Sequence, residues 1–427
     1  MAEVISDTSS TSRGIFFGWK VVATAFTVAV FAWGFGLYGP AVYLHALHDA
    51  RGWSISVISA AITWQFVLSA GIVAYLSDIH RRLGVEVTTR AGVILLAAGT
   101  IAWSLADAPW QLFAAAPLMG AGWAMTSGAA INAMVSPWFE RRRSAALSHA
   151  LNGASVAGVL LTPIWIALIH GFGFPIAAAI LGATMVLMVW PLAGRYLRPS
   201  PEGLGLRPDG GAASSMPCRG VETASAVRLP ITLAALLRHS SFATMSAAFG
   251  LALFAQVGLL SHLVSFLIPA LGDAGGAAAV SLTAACAVVG RLAFAVVPGD
   301  FDRRIVTALN LLLQVCGVVL LALGSSPATV LTGCVLFGLG VGNVISLAAL
   351  VAQAEFDRID VPRVVALATA INQALFAFAP GVFGALRDLM GSYTLLIAFA
   401  AALQFAAALL ILTGRTATRR APARVRP

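Results

Sequence analysis

The feature that most limits the fold of this chain is a series of twelve apolar segments. Each is close to or above the roughly 20 residues that cross a bilayer at about 1.5 Å per helical residue. Hydrophobic residues make up 59% of the 427 residues and charged residues only 10%, which leaves too little charge for a water-soluble fold of this length. We therefore expect an all-α, polytopic membrane protein with twelve transmembrane helices. The predicted spans are residues 18–46, 55–77, 88–106, 110–136, 144–170, 172–193, 241–269, 277–298, 303–323, 327–353, 363–386 and 392–413.

A region rich in Pro, Gly and Ser separates six of these segments from the other six. Its composition is typical of a flexible connection and does not suit a membrane span. The first apolar segment is of full spanning length and lacks a small-residue cleavage site, so we interpret it as an uncleaved helix. The predicted divisions are a disordered N-terminus (1–14), a first six-helix bundle (15–194), a cytoplasmic linker (195–240), a second six-helix bundle (241–413) and a basic cytoplasmic tail (414–427).

The two halves carry matching sequences. RSAALSHALN (143–152) and RVVALATAIN (363–372) agree at five of ten positions and lie 220 residues apart. DIHRR (78–82) and DFDRR (300–304) share an Asp and two Arg at an offset of 222 residues. These matches keep their order along the chain and predict two pseudo-symmetric six-helix bundles in the same orientation. Parallel repeats of this kind place a substrate site between the halves near the membrane midplane.

The basic residues predict the orientation in the membrane. The chain has 26 of them, Lys20 and 25 Arg. If both termini are cytoplasmic, only Arg51 and Arg387 fall in outer loops and Arg291 lies within the membrane, which leaves 23 on the cytoplasmic side. This bias follows the positive-inside rule. The net charge of +9 is then explained by topology and by contact with anionic membrane lipid, without nucleic acid. We expect an integral protein of a bacterial inner (plasma) membrane.

Arg291 is the formal charge that the predicted spans place within the bilayer. Such a residue costs about 2.5–3.5 kcal/mol on insertion scales, so it usually faces a cavity and a ligand. Its guanidinium stays ionised and matches a carboxylate with two parallel N–H donors. We predict that Arg291 binds an anionic substrate. The alternatives are that its side chain extends to the cytoplasmic surface or pairs with Asp300.

Seven other polar residues in the predicted helices are candidate substrate ligands. Asn152 and Asn372 occupy equivalent positions of the two repeats, and Gln373 follows the second. The others are Tyr38, Gln256, His262 and Asn343. His262 is the best candidate for a proton site, because an imidazole changes charge near physiological pH. For all seven, the alternative is hydrogen bonding between helices.

Four charged residues beside the cytoplasmic ends of the predicted helices are candidates for conformational gating. They are Asp78, Arg82, Arg143 and Arg304. We expect them to pair with neighbouring helix ends when the cytoplasmic side is closed, and we do not expect them to bind substrate.

Enzyme chemistry and bound cofactors find little support in the sequence. The single Lys, Lys20, is followed by Val21, so the chain lacks the Gly-Lys-Ser/Thr of a nucleotide-binding P-loop. It has no HExxH and no Cys/His cluster with metal spacing. We expect no enzyme activity, cofactor or metal.

Five short motifs stand out along the chain. They are FGWKVV (17–22), PWFERRRSAAL (137–147), PEGLGLRPDG (201–210), GRL (290–292) and LRDLMGSY (386–393). With the two six-helix halves and their repeated Asp-Arg-Arg loops, these motifs resemble the major facilitator superfamily, and in particular its monocarboxylate and oxalate/formate transporter branch. This resemblance implies the major facilitator fold and transport by alternating access. One departure is Ala287, which stands where the monocarboxylate branch often has an acidic residue.

The expected function is secondary transport of a small organic anion, a mono- or dicarboxylate, by a monomeric protein. Moving one negative charge inward against 100 mV costs about 2.3 kcal/mol, so a monoanion needs a coupled proton or exchange for a counter-anion. The alternative is efflux of an amphipathic drug or metabolite, in which case Arg291 has a structural role.

Overall fold

A computed structural model describes residues 16–210, 233–295, 301–324, 326–357 and 360–420. These ranges are helical, with short connections and no strand among them. The helices are α1 (Phe17–Gly36), α2 (Tyr38–Arg51), α3 (Ile55–Ala74), α4 (Leu76–Ser104), α5 (Pro109–Thr126), α6 (Gly128–Val135), α7 (Arg143–Phe172), α8 (Phe174–Tyr196), α9 (Leu233–Leu237), α10 (Ser240–Ala295), α11 (Arg303–Leu323), α12 (Pro327–Val341), α13 (Val344–Glu355), α14 (Val361–Phe376), α15 (Ala379–Met390) and α16 (Tyr393–Arg420).

The described helices account for all twelve predicted spans. Ten segments are long and apolar enough to cross a membrane. One of them, in α10, reverses direction at Gly272, whose φ of 73° is not helical. After this turn a Cβ on Gly276 would lie 3.2 Å from the backbone nitrogen of Ile268, a proximity that a continuous helix does not allow. The pair α5 and α6, interrupted at Ser127, supplies the remaining span. The predicted all-α membrane fold is thus confirmed.

Four spans are interrupted within their length. The breaks lie between α1 and α2, between α5 and α6, between α12 and α13, and between α14 and α15. Interrupted membrane helices leave backbone carbonyl and amide groups without partners in their own helix. At the first break two carbonyl oxygens accept from side chains: Gln65 donates to the Gly36 carbonyl oxygen at 3.3 Å, and Trp165 donates to that of Gly34 at 3.2 Å.

Glycine turns mark one end of the bundle. Gly52, Gly173, Gly272 and Gly391 connect consecutive spans with φ between 64° and 81°, a backbone region that glycine enters without steric cost. Gly52 and Gly272 are equivalent in the two repeats, as are Gly173 and Gly391. We call the end that carries these four turns the far face. The opposite end, where α1, α7 and α11 begin, is called the basic face.

Two antiparallel helix pairs join the halves. In one pair α3 packs on α15, and Gly381 and Gly384 lie against Thr63 and Ser59. In the other pair α7 packs on the part of α10 that follows Gly272. Within each half the helices also pack closely, for example α1 on α7 and α11 on α16.

Parts of the predicted divisions lie outside the described residues. These parts are the N-terminus (1–14), the middle of the linker (211–232) and the end of the tail (421–427). Helix α16 extends to Arg420, past the predicted start of the tail. The described start of the linker is anchored to the first half, because Asp209 accepts hydrogen bonds from the backbone amides of Glu140, Arg141 and Arg142.

Candidate functional site

Arg291 lies where the two halves meet. Its side chain is half-buried and extends from α10 toward α7. Nε donates to the carbonyl oxygen of Gly342 at 3.1 Å, and Nη1 donates to Oδ1 of Asn152 at 2.8 Å. One bond thus holds the guanidinium within its own half and the other crosses to the first half. Two residues that were predicted separately as substrate ligands are thus in direct contact.

Two glycines bring α10 close enough to α12 and α13 to hold this arginine. A Cβ on Gly290 would lie 2.0 Å from the carbonyl oxygen of Leu339, and one on Gly342 would lie 2.3 Å from that of Ala287. Both distances are shorter than any tolerated contact, so these positions require glycine. The break between α12 and α13 leaves the carbonyl of Gly342 at a helix end, where it accepts the Nε proton of Arg291.

Tyr38 reaches the same site from the first turn of α2. Its ring packs where Gly158 of α7 approaches Ala284 of α10, because a Cβ on Gly158 would contact both. Its hydroxyl lies within electrostatic range of the Arg291 guanidinium. Three of the predicted ligands, Arg291, Asn152 and Tyr38, therefore converge from three helices. We call this group the arginine site.

The arginine site can bind an anion. Of the five N–H donors of a guanidinium, Arg291 uses Nε and one donor of Nη1 with protein acceptors. No carboxylate lies within 4.0 Å of it among the described residues. The other predicted partner, Asp300, lies outside the described residues. A guanidinium that is held by neutral groups and keeps Nη2 for a ligand suits a carboxylate.

The depth of the arginine site follows from helix geometry. Arg291 comes 19 residues after the Gly272 turn, or about 28 Å from the far face. Asn152 comes 20 residues before the end of α7, or about 30 Å from the same face. The two estimates agree and place the site nearer the basic face than the far face. A substrate bound here therefore lies on the basic-face side of the membrane midplane at which the repeat had predicted the site.

Asn372 is the repeat equivalent of Asn152 but has a different environment. It is 4% exposed, and its Oδ1 has no hydrogen-bond partner. The second amide oxygen thus lacks the bond that the oxygen of Asn152 accepts from Arg291. Gln373 is half-buried next to it.

Gln256 and Asn343 point into the second half. Gln256 donates to Oε1 of Gln314 at 2.6 Å, and Gln404 donates to the same atom at 3.4 Å. Asn343 donates to Oδ1 of Asn310 at 3.0 Å. These bonds correspond to the alternative considered for both residues, hydrogen bonding between helices. We do not include them in the arginine site.

His262 lies between the halves on the far-face side of the arginine site. It is fully buried, and its Nε2 lies 3.3 Å from the Pro380 carbonyl oxygen and 3.4 Å from Oγ of Ser59. A carbonyl oxygen only accepts, so Nε2 carries the proton in this arrangement. His262 comes ten residues before the Gly272 turn, about 15 Å from the far face. It therefore links three helices at a depth well separated from Arg291.

Three of the four gating candidates, Asp78, Arg143 and Arg304, bond within their own halves in this conformation. Asp78 pairs with Arg81 at 2.7 Å. Arg143 donates to the Phe139 carbonyl oxygen at 3.0 Å. Arg82 is exposed, and Arg304 is 2% exposed. Arg304 pairs with Glu355 and donates to the backbone oxygens of Ser241 and Ile411 and to Oγ1 of Thr244. Arg304 thereby ties four helices of the second half together, and a gating role for all four residues stays a proposal.

Sequence reasoning did not identify the contribution of Gly342. Gly342 acts through its own backbone carbonyl, which accepts from Arg291, and a pattern of side chains does not reveal such an acceptor. The sequence Gly-Val-Gly-Asn at 340–343 was the available signal, because two closely spaced glycines within an apolar span indicate a helix break.

Comparison with known proteins gives one family and two curated relatives. The sequence profile described as Major Facilitator Superfamily matches residues 24–380. Monocarboxylate transporter 11 of Mus musculus is 30% identical over 189 residues, which cover 43% of this chain and 40% of that protein. Monocarboxylate transporter 13 of Rattus norvegicus is 29% identical over 189 residues, which cover 43% of this chain and 42% of that protein. The match thus spans about two-fifths of the length of these relatives.

Proposed function

Because the chain belongs to the major facilitator superfamily, we propose that it carries a small organic anion, a mono- or dicarboxylate, by alternating access. The chain is thus an integral membrane transporter and not an enzyme. The observation that carries the proposal is the arginine site. Arg291 is held by two neutral acceptors, at 2.8 and 3.1 Å, and retains donors for a ligand. The names of the two monocarboxylate transporters that the chain resembles support the same substrate class.

The position of the site supports alternating access. Arg291 belongs to the second half and Asn152 to the first, so a ligand on the guanidinium contacts the boundary along which the halves move. A carboxylate on the free Nη2 donors lies next to the Nη1 bond to Asn152 and brings a charge to the contact between the halves. A ligand that binds one arrangement of the halves more tightly than the other shifts the equilibrium between them.

Coupling to a second ion follows from charge. Inward movement of a monoanion against 100 mV costs about 2.3 kcal/mol, which a coupled proton or an exchanged anion offsets. We propose proton symport or anion exchange for this reason. We also propose that the basic face is cytoplasmic, that the membrane is a bacterial inner membrane and that the transporter is a monomer; the distribution of Arg supports the orientation.

A counterflow experiment tests the substrate class. Purified protein in liposomes preloaded with lactate or succinate is given the same labelled acid outside, and parallel liposomes receive lactamide or succinamide. We expect exchange of at least one acid and none of the amides, because an amide lacks the charge that Arg291 requires. Uptake of the amides, or exchange of neither acid, contradicts the proposal and favours efflux of an amphipathic drug or metabolite.

A further inference from the structure

Two polar contacts join the halves at the far face. Nε2 of His170, near the end of α7, lies 3.3 Å from Oδ2 of Asp273, which follows the Gly272 turn. Oδ2 of Asp388, near the end of α15, accepts the backbone N–H of Ser56, in the first turn of α3, at 2.9 Å. Both contacts cross from one repeat to the other. We call them the histidine latch and the aspartate latch.

The two latches are related by the internal repeat. His170 lies three residues before the Gly173 turn, and Asp388 lies three residues before the equivalent Gly391 turn. Their partners lie one residue after Gly272 and four residues after the equivalent Gly52. Each latch thus connects the last turn of one helix with the start of the helix packed against it. The two contacts lie on either side of the boundary and join the halves at the far face in this structure.

The latches differ in chemistry. Asp388 binds an uncharged backbone amide at a helix N-terminus, where a carboxylate is favoured, and it also accepts from Arg387 at 3.3 Å. The histidine latch is exposed: the side chain of His170 is 75% exposed and that of Asp273 is 48% exposed. An imidazole becomes a cation when it binds a proton. Of the two latches, only the histidine latch therefore forms an ion pair between the halves when its basic partner is protonated.

The surroundings of His170 are acidic and otherwise apolar. His170 and Asp273 line a cavity of about 360 Å³ between the halves, and α2 contributes His45 and Asp49 to the same cavity. His45 pairs with Asp49 at 3.3 Å within its own helix. From α8, Phe174 lines the cavity and carries no titratable group. With both imidazoles neutral the cavity has two negative charges, and with both protonated it has none.

We propose that His170 is a protonation site through which acidity in the compartment at the far face stabilises closure of that face. A proton from that compartment binds the His170 imidazole and converts the contact with Asp273 into an ion pair between the halves. Opening the far face then requires separation of opposite charges. The proposal rests on these contacts alone and does not depend on the identity of the transported anion.

Distance measurement between spin labels tests this proposal. Cys218, Cys286, Cys316 and Cys334 are replaced by Ser, and labels are attached at Leu105→Cys in the first half and Ala328→Cys in the second half. Both positions are exposed beside the far face. Electron–electron resonance on the reconstituted full-length protein at pH 8 and pH 5.5 gives the populations with a short and a long distance. We expect acid to raise the ratio of short to long about two- to fivefold, the range typical of an exposed ion pair.

Two variants separate the latch from general effects of pH. His170→Gln keeps a hydrogen-bond donor but cannot be charged, and we expect it to lose the response to acid. His45→Gln is the matched control, because it removes a titratable imidazole from the same cavity and leaves the contact between the halves intact. We expect it to keep the response. A full response in His170→Gln, or equal losses in both variants, overturns the proposal.

Discussion

The guanidinium of Arg291 and the amide of Asn152 form a 2.8 Å hydrogen bond between equivalent halves of the protein. Asn152 is one member of a repeat pair whose other member, Asn372, has no such partner. The internal symmetry of the fold is therefore broken in its polar interior, because the amide oxygen of one repeat accepts a bond from an arginine and that of the other repeat has no partner. The anion site that we propose lies on the arginine side of this boundary.

Replacement of Asn152 by Asp is expected to block transport while the fold is retained. The new carboxylate occupies the position of Oδ1, 2.8 Å from Nη1 of Arg291, and competes with the substrate for the guanidinium. Hydrogen bonds to charged groups contribute about 1.5–3 kcal/mol, so we expect kcat/KM for the transported acid to fall about 10- to 100-fold. Uptake kinetics in liposomes check this, and Asn152→Ser, which keeps a neutral acceptor, is the control with a smaller loss.

Gly290→Ala is expected to impair transport by moving Arg291. The added Cβ would lie 2.0 Å from the Leu339 carbonyl oxygen, so α10 and α12 must separate and the bond from Nε to Gly342 weakens. Gly71→Ala is the matched control, since a Cβ there has nothing within 4 Å. We expect a loss of transport of about tenfold or more for the first variant and less than twofold for the second. Equal rates in both variants contradict the role given to this helix contact.

Arg304→Ala is expected to destabilise the second half. Arg304 is buried in a network with Glu355 and helices α10 and α16, and removal of one partner of a buried ion pair costs about 3–5 kcal/mol. We expect a clearly lower thermal midpoint in detergent. Arg303→Ala, at the half-buried neighbouring position, is the control and should change the thermal midpoint by no more than a degree or two. If Arg303→Ala lowers the midpoint as much as Arg304→Ala does, the destabilisation comes from the loss of any positive charge there and not from the buried network.

The contact of Asp209 with the loop before α7 is expected to be insensitive to pH above about 4. The three backbone amides, that of Arg141 most strongly, hold the pKa of Asp209 below its usual range. A carboxyl group with a lowered pKa in the folded state stabilises it at pH values above its ordinary pKa, and this contribution is lost as pH falls through the lowered value. Between pH 5 and 9 the contact should therefore protect the loop uniformly.

Limited proteolysis measures this contact. Trypsin cleaves after Arg141 and Arg142, whose amides Asp209 binds. We expect Asp209→Asn to be cleaved several times faster than the wild type at pH 7.5 and at pH 9, while Glu202→Gln, an exposed acidic residue in the same segment, is cleaved at the wild-type rate. If Asp209→Asn is cleaved no faster, the carboxylate does not hold the loop.

The fold was predictable from the sequence because hydropathy and segment length determine where a chain crosses a membrane. The predicted spans 241–269 and 277–298 already placed a reversal between them, where Gly272 lies. The interruption at Ser127 was not predictable in this way, because it lies inside the apolar segment 110–136 that was predicted as a single span. For the arginine site, the repeat pointed to Asn152, and intramembrane charge pointed to Arg291. Hydropathy says little about the rotation of a helix whose faces are all apolar, so the sequence did not reveal that Gln256 bonds to Gln314 within its own half.

The most direct test of the account is transport by variants of Arg291. Wild type, Arg291→Lys and Arg291→Gln are reconstituted at equal amounts, with insertion checked by thermal unfolding, and counterflow is measured with the acid that the wild type exchanges. Loss of one partner of a desolvated charge pair costs about 2–5 kcal/mol, so we predict that Arg291→Gln loses about 30-fold or more of kcat/KM and that Arg291→Lys retains part of it. A folded Arg291→Gln protein that exchanges the acid at the wild-type rate would contradict the claim that Arg291 binds the carboxylate.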